Sequence, residues 1–551
     1  MKQYCELTGR EFQISFEEIE YCKRENIPFP TLSPAERQRQ MLYFRNRMHL
    51  YRSKCALSGK EIFSSVPPET KIPVYDGAVW ESDDWEAADY AQEYDFSRPF
   101  FEQFHELFIR VPRPNLGNTA ASLENCDYTN GIARAKNCYL LFSSHNAEDC
   151  YFSKAVYRVK NVVDSLLVYD TEICFDCENI KDSYNVIGCK HSLNCRDSYF
   201  LFNCIGCSNC FGCVNLTRRE FCFFNEQLTK DAYSQRLSEI NLGSHQQYFQ
   251  QKRLFEEHCL KFPVKFYSGS QNENFSGNFI NNSKDCHNSF FISKSETIID
   301  SIYLESAKNS ILHVNFGGNS ELTYNCISVG DNSFNLKFCS DTWNGVRDLE
   351  YCINVRNGTH DSFGCVGLKK SSYCILNKKY SKEEYFDLVK RIKSQMSSNG
   401  EYGKFFPISS SPNYYNRSDV EEFFPLERQE AINQQFRWLE ETEQTLLTKN
   451  CPPDDIANFS LGQQSNVFTC EETGKGFKIT KPEIEFYKKH SLPPPTVAPL
   501  ERLRKRCREF FQVKVLKEGQ CSRCKQAILT TYAGNANQQI LCETCFQLEI
   551  V

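Results

Sequence analysis

From residue 320 the polar and apolar positions keep a beat of three inside rows of thirteen: SELTYNCISVGDN, SFNLKFCSDTWNG, VRDLEYCINVRNG and THDSFGCVGLKKS. Cys326, Cys339, Cys352 and Cys365 fall in one column. Small or aliphatic side chains hold every third position, while Asn, Asp and Gly gather near the row ends. A helix repeats at 3.6 and a half-buried strand at 2, so a strict three means that the chain turns repeatedly and points its third side chain inward. The pattern predicts a stack of very short strands joined by tight turns, where Gly and Asn tolerate left-handed backbone.

The same beat runs through Cys126, Cys138, Cys150, Cys174, Cys177, Cys189, Cys195, Cys204, Cys207, Cys210 and Cys213, in frame with Ser165, Val168, Ser183 and Ser198. A second frame opens at Ser283, Cys286, Ser289, Ile292, Ser295, Ile298, Ser301 and Leu304, then slips into the thirteen-residue rows. The expectation is a mainly β protein: a narrow parallel β-solenoid in two blocks, 122–224 and 274–377, with coils of about 12–15 residues. So thin a lumen cannot take Phe or Trp in every layer, and Cys enters it as a small hydrophobe. Such lumens resemble those of the insect antifreeze solenoids, although the flat Thr face of those proteins is missing.

The two ends of the chain carry one module twice. Residues 5–37 and 470–502 align without a gap, pairing Cys5 with Cys470, Thr8-Gly9 with Thr473-Gly474, Phe12 with Phe477, and Pro28, Pro30, Thr31, Pro34 and Arg37 with Pro493, Pro495, Thr496, Pro499 and Arg502. One residue of slip then pairs Cys55 with Cys521. In the second copy Cys521-x-x-Cys524 is followed by Cys542-x-x-Cys545, the spacing of a four-thiolate structural zinc site, so one zinc ion is expected there. The first copy keeps Cys55 but reads Ser58 and then Pro73-Val74-Tyr75-Asp76-Gly77-Ala78, and is expected to be held by packing.

The front half of each module resembles the small "probable zinc-ribbon" domains, with Thr8, Ser33 and Glu36, or Thr473, Ala498 and Glu501, in place of their ligands. The whole chain is similar to an uncharacterised family of cysteine-rich solenoid proteins of candidate-phyla-radiation bacteria. That likeness rests on the proline-arginine entry at 28–37, VYDGAVWESDDWEAADYAQEYDFSRPFFEQF at 74–104, NCYLLF at 137–142 and CIGCSNCFGCVNL at 204–216. It implies the architecture and no particular activity.

These readings divide the chain into a degenerate zinc-ribbon-like module (1–80), an acidic and aromatic connector (81–121), the first solenoid, a capping helical insertion (225–273), the second solenoid, a capping helix and connector (378–450) and the zinc-ribbon module (466–551). Each solenoid should end in a helix, after Thr229 and after Ser381, where Ser381 and Glu384 form a capping box. Such helices would cover strand edges that a solenoid end leaves unpaired.

With 551 residues, a formal charge of -6 and no signal-peptide pattern at the start, the chain is expected to be soluble and cytoplasmic, without a membrane partner. Twenty-nine cysteines in that setting are thiols and metal ligands rather than disulfides. Cys204, Cys207, Cys210 and Cys213 have the tight spacing of an iron–sulfur motif, but they also lie on the inward frame, which sends them to different walls. Arg37, Arg39, Arg45, Arg47, Arg52 and Lys54 make one basic run; Arg502, Arg504, Lys505, Arg506, Arg508 and Lys514 make another, a candidate nucleic-acid contact beside the ribbon. Trp80, Asp83, Asp84, Trp85, Asp89, Tyr94, Asp95 and Phe96 could serve carbohydrate chemistry or pack the first module on the solenoid. No phosphate loop, His-Glu-x-x-His or nucleophile elbow occurs. The expectation is a non-enzymatic, zinc-containing scaffold with a protein partner. Nucleic-acid binding, and a metal- or thiol-dependent or carbohydrate-active enzyme, are the alternatives; a small-molecule substrate fits less well.

Overall fold

The computed structural model describes residues 1–440, 450–460, 467–511, 515–532 and 538–550. Lys514 and part of the 378–450 connector lie outside them. Two parallel β-solenoids dominate, as the period of three requires. In the first, residues twelve apart pair, as Glu124 with Lys136 and Lys160 with Glu172. In the second the repeat grows from eleven, Glu273 with Lys284, through twelve, Lys284 with Glu296, to thirteen, Glu321 with Phe334. The coils are therefore tighter than the upper end of the expected range.

The corner lies at every third residue, not only near the row ends. Asn137, Leu140, Ser143, Asn146 and Asp149, each just before an inward side chain, have φ of 52°, 49°, 50°, 54° and 53°. Twelve residues with a corner every three make four short walls. Leu140 or Ile173 in this conformation costs about 1–2 kcal/mol, and stacked Asn and Asp side chains help to offset it. Asn125 Nδ2 donates to Asn137 Oδ1 at 3.0 Å, Asn137 Nδ2 to Asp149 Oδ1 at 3.0 Å, and Asn335 Nδ2 to Asp348 Oδ1 at 2.8 Å.

The inward Ser and Cys side chains do more than fill space. Ser165 Oγ donates to the Val163 carbonyl at 2.8 Å and accepts the Cys177 N–H at 3.2 Å. Cys177 Sγ then donates to Phe175 O at 3.2 Å and accepts the Cys189 N–H at 3.3 Å, and Cys189 Sγ repeats the step with Ile187 O and Leu201 N. Each small XH group thus bridges one coil to the next, pairing backbone groups inside a lumen that water does not reach. Thiol and hydroxyl are interchangeable in this role, which is why both occupy one frame. Cys177→Ser is expected to stay within about 1 kcal/mol of the parent, whereas Cys177→Ala leaves the Cys189 N–H unpaired and costs about 1–3 kcal/mol. Chemical denaturation followed by strand signal measures the difference.

Each solenoid closes on an asparagine at its C-terminal end. Asn225 exchanges hydrogen bonds with the backbone of Val214 at 2.8 Å, and Asn377 does the same with Val366 at 2.8 Å. The helices Lys230–Ser238 and Lys382–Ser398 follow, capped by Thr229 and by the Ser381–Glu384 box.

The front halves of the terminal modules cross over. The first packs its helices Phe16–Glu25 and Pro34–Tyr43 on the second solenoid, where Tyr21 stacks on Tyr324 at 4.9 Å and Gln38 Nε2 donates to Asp300 O at 2.7 Å. The last packs Lys481–Lys489 and Pro499–Phe511 on the first solenoid, where Tyr487 meets Phe175 at 5.7 Å. The 74–108 segment joins the packing: Trp80 is fully buried, and Phe100 sits 5.3 Å from both Tyr351 and Phe363 of the second solenoid.

Candidate functional site

Four structural units share one construction, of which the sequence displays two pairs. In each a short hairpin carries a cysteine whose N–H donates five residues on: Cys5 to Arg10 O at 2.9 Å, Cys55 to Lys60 O at 2.8 Å, Cys470 to Lys475 O at 2.8 Å and Cys521 to Gln526 O at 2.9 Å. The residue four past each cysteine, Gly9, Gly59, Gly474 or Lys525, is left-handed and donates back to the cysteine carbonyl. A helix then starts beside the sulfur: Asp76 N–H, Ala498 N–H and Cys542 N–H each donate to Cys55, Cys470 and Cys521 Sγ at 3.3 Å. The legible signal is Cys5-Glu-Leu-Thr-Gly-Arg-Glu-Phe beside Cys55-Ala-Leu-Ser-Gly-Lys-Glu-Ile, a repeat inside the first module that the end-to-end alignment obscured.

Only the last unit keeps four ligands. Cys521, Cys524, Cys542 and Cys545 place their sulfurs within 4.8 Å of one another, and Cys524 Sγ is 3.7 Å from Cys542 Sγ. A tetrahedron with metal–sulfur distances of about 2.3 Å has edges of about 3.8 Å, so the cluster fits a four-thiolate ion after small adjustments. Burial works against the Cys521 thiolate, but the N–H groups of Cys542 and Cys524 outweigh it and bring this thiol down to about 6. At the equivalent places the Cys55 unit has Ser58, Asp76 and Val79, the Cys5 unit Thr8, Ser33 and Glu36, and the Cys470 unit Thr473, Ala498 and Glu501.

The four-ligand unit sits over the start of the second solenoid. Its strand Ile540–Leu541 pairs in parallel with Val264–Lys265, Thr530 Oγ1 donates to Phe266 O at 2.8 Å, and Asn278 Nδ2 donates to Thr531 Oγ1 at 2.8 Å. The Cys55 unit covers the start of the first solenoid in the same manner. Val74–Tyr75 pairs with Arg113–Pro114, and Phe63 packs 4.6 Å from Tyr128.

Cys204, Cys207, Cys210 and Cys213 do not converge: each is 0–1% exposed and donates to its own coil, to Phe202, Ile205, Ser208 and Phe211 carbonyls. They belong to the lumen frame, and among the described residues the one group of three or more clustered metal-ligand side chains is the C-terminal quartet.

The second basic run also needs correction as a nucleic-acid surface. Arg502, Arg504 and Arg506 point inward, with side chains 15%, 14% and 11% exposed. Arg502 bridges Asp164 at 3.0 Å and Glu483 at 3.4 Å; Arg504 reaches His49 Nδ1 at 2.8 Å; Arg506 pairs with Asp176, which also accepts from Tyr248 at 3.0 Å and Lys252 at 2.6 Å. Lys505 and Arg508 remain outside, paired with Glu472 and Glu421. In the first module Arg37 likewise holds buried Glu18, at 2.7 Å and 3.1 Å, with Tyr324 OH at 3.0 Å, and Arg45 pairs with Asp419. Helical periodicity alone does not reveal these partners, because Asp164 and Asp176 lie on a solenoid more than 300 residues away and Glu483 and Glu18 on a neighbouring helix. Two carboxylates share the Arg502 guanidinium, and Arg506 lies near both Asp176 and Glu178. Burial pushes Glu483 up to about 7, Arg502 opposing and Asp164 adding to the rise. Burial likewise pushes Asp300 up to about 6 beside Glu18 and Arg37.

The outward walls carry matched ladders of charged side chains. On the first solenoid Glu124, Lys136, Glu148, Lys160, Glu172, Tyr184 and Arg196 stand in one column. On the second, Glu273, Lys284, Glu296, Lys308, Glu321, Phe334 and Arg347 repeat it rung for rung. An open groove of about 690 Å³ runs along the first ladder, flanked by Arg134 and Arg158.

No helix among the described residues is long and apolar enough to cross a membrane. No protein-family model and no curated protein sequence matches the chain. Among solved structures, one from Desulfovibrio desulfuricans G20 described as an acetyltransferase is similar over 51% of this chain and 81% of its own, at 9% identity and a TM-score of 0.10.

Proposed function

We propose that this protein is a non-enzymatic scaffold. One zinc ion clamps its C-terminal unit, three related units without the ligand set complete the frame, and the outer walls of the paired solenoids receive a protein partner. The observation that carries the reading is the ladder of seven matched, outward-facing residues on both solenoids. Four converging sulfurs with no oxygen or nitrogen ligand favour zinc among common ions. The aromatic and acidic segment that an enzyme would need for sugar is engaged in packing, with Arg356 and Lys369 over the Trp80 ring at 4.9 Å and 4.4 Å. Free thiols throughout the chain suit a reducing cytoplasm. Membership of the cysteine-rich solenoid family rests on the four quoted segments.

Photo-crosslinking residues substituted at Tyr184 and Phe334 test the reading in the native host. A protein adduct at one or both is expected, and its absence from both in a folded, zinc-loaded chain would refute a scaffold acting through these walls.

A further inference from the structure

The two ladders agree where their surroundings do not. Beside them the first solenoid has Arg134, Asn146, Arg158 and Asp170, whereas the second has Asn282, Lys294, Ser306 and Asn319 at the same corners. The rungs nevertheless read Glu, Lys, Glu, Lys, Glu, aromatic, Arg in both. Internal pairing accounts for part of this. Lys136 lies 2.9 Å from Glu124 and Lys160 3.1 Å from Glu148; Lys284 lies 3.3 Å from Glu273 and Lys308 3.5 Å from Glu296. Alternation therefore avoids the repulsion that a column of like charges would suffer at a rung spacing of about 4.8 Å.

In-chain pairing leaves two things without a purpose. An ammonium has three donors and a carboxylate about four acceptor sites, so each rung keeps unused capacity directed at solvent. The sixth rung is aromatic in both solenoids and outward, Tyr184 at 42% and Phe334 at 43% exposure, although neither side chain joins a charge pair. A partner that matches such a wall must itself alternate in charge at the same spacing.

We propose that the partner is a second copy of this chain, docked ladder against ladder. This rests on the scaffold reading and names its occupant. An alternating column is its own complement: turned antiparallel and offset by one rung, Glu of one copy faces Lys of the other at four successive rungs. A register shifted by one more rung brings like charges together, so the alternation excludes every second alignment. Seven rungs make a face of about 30 Å by about 10 Å, or about 300 Å², well under the roughly 800 Å² per partner of a standard interface. The association is therefore weak, strongly salt-dependent, and reinforced when both ladders of a chain engage.

Sedimentation velocity on the full chain tests it. Lowering the salt from about 500 to about 50 mM should tighten self-association at least tenfold. Lys136→Glu, Lys160→Glu, Lys284→Glu and Lys308→Glu together make the first five rungs of both columns acidic and should abolish it. Because that variant can fail to fold, a second set replaces the six charged rungs of each ladder with Gln, which retains stacking and should weaken association at least tenfold. Inverting every rung, Glu to Lys and Lys to Glu, keeps the alternation and should preserve it. A chain that stays monomeric at every salt concentration, or associates equally in the Gln variant, overturns the proposal. Crosslinks from Tyr184 and Phe334 separate it from the broader reading: a chain-to-chain adduct supports self-docking, while an adduct with a different protein alone removes self-docking and leaves the scaffold.

Discussion

Cys542→Ser should release the zinc and unfold the C-terminal unit while both solenoids keep their strands. The core of that unit is small: Cys521, Ile528, Leu541, Cys542, Cys545 and Phe546 are its buried members, so three of its six side chains belong to the cysteine quartet. Structural zinc contributes about 10–16 kcal/mol to folding in small thiolate domains, far more than so few apolar contacts supply. Metal analysis should find close to one zinc per chain in the parent and little in the variant. Hydrogen exchange should lose protection in Lys517–Gln520 and Ala527–Thr530, and next in Val264–Lys265 and the opening coil, which the unit covers. Protection in the column of Cys326, Cys339 and Cys352 should persist. A parent protein with no zinc, or a variant with an unchanged exchange pattern, would contradict the assignment of these four cysteines.

Arg502→Met should cost about 3–5 kcal/mol, because it leaves two buried carboxylates, Asp164 and Glu483, without their shared cation. Asp164 belongs to the first solenoid and Glu483 to the last module, so the damage should appear as loss of docking between elements more than 300 residues apart. Arg37→Met should act alike through Glu18, loosening the first module from the second solenoid. Adding Glu483→Gln to Arg502→Met should recover part of the loss, whereas Lys505→Met, at a side chain 62% exposed, should change stability by less than about 0.5 kcal/mol. Denaturant midpoints report these differences. Weakened nucleic-acid binding in Arg502→Met at unchanged stability would instead return this residue to the role of a surface contact.

How much was readable differs from feature to feature. The solenoid was legible because a period of three has no helical or flat-strand solution, and the Cys521 to Cys545 quartet because two Cys-x-x-Cys pairs at that spacing can bring four sulfurs to one point. The likeness of the Cys5 and Cys55 units went unread although the letters display it, since most of the ligands that would advertise it have been replaced. The basic runs misled for another reason: Arg502, Arg504 and Arg506 resemble a solvated stripe until Asp164, His49 and Asp176 are brought against them.

Sequence alone determined what repeats: short-range periodicity dictates that every third side chain turns inward and that only small donors and acceptors such as Cys177 and Ser165 can link successive coils. Tertiary structure decided what meets. The front helix of each end module lies on the solenoid more distant from it in the chain, Arg502 became a buried bridge, and two charge ladders aligned on outer walls. Those outcomes depend on long-range packing and shared burial, which local spacing does not encode.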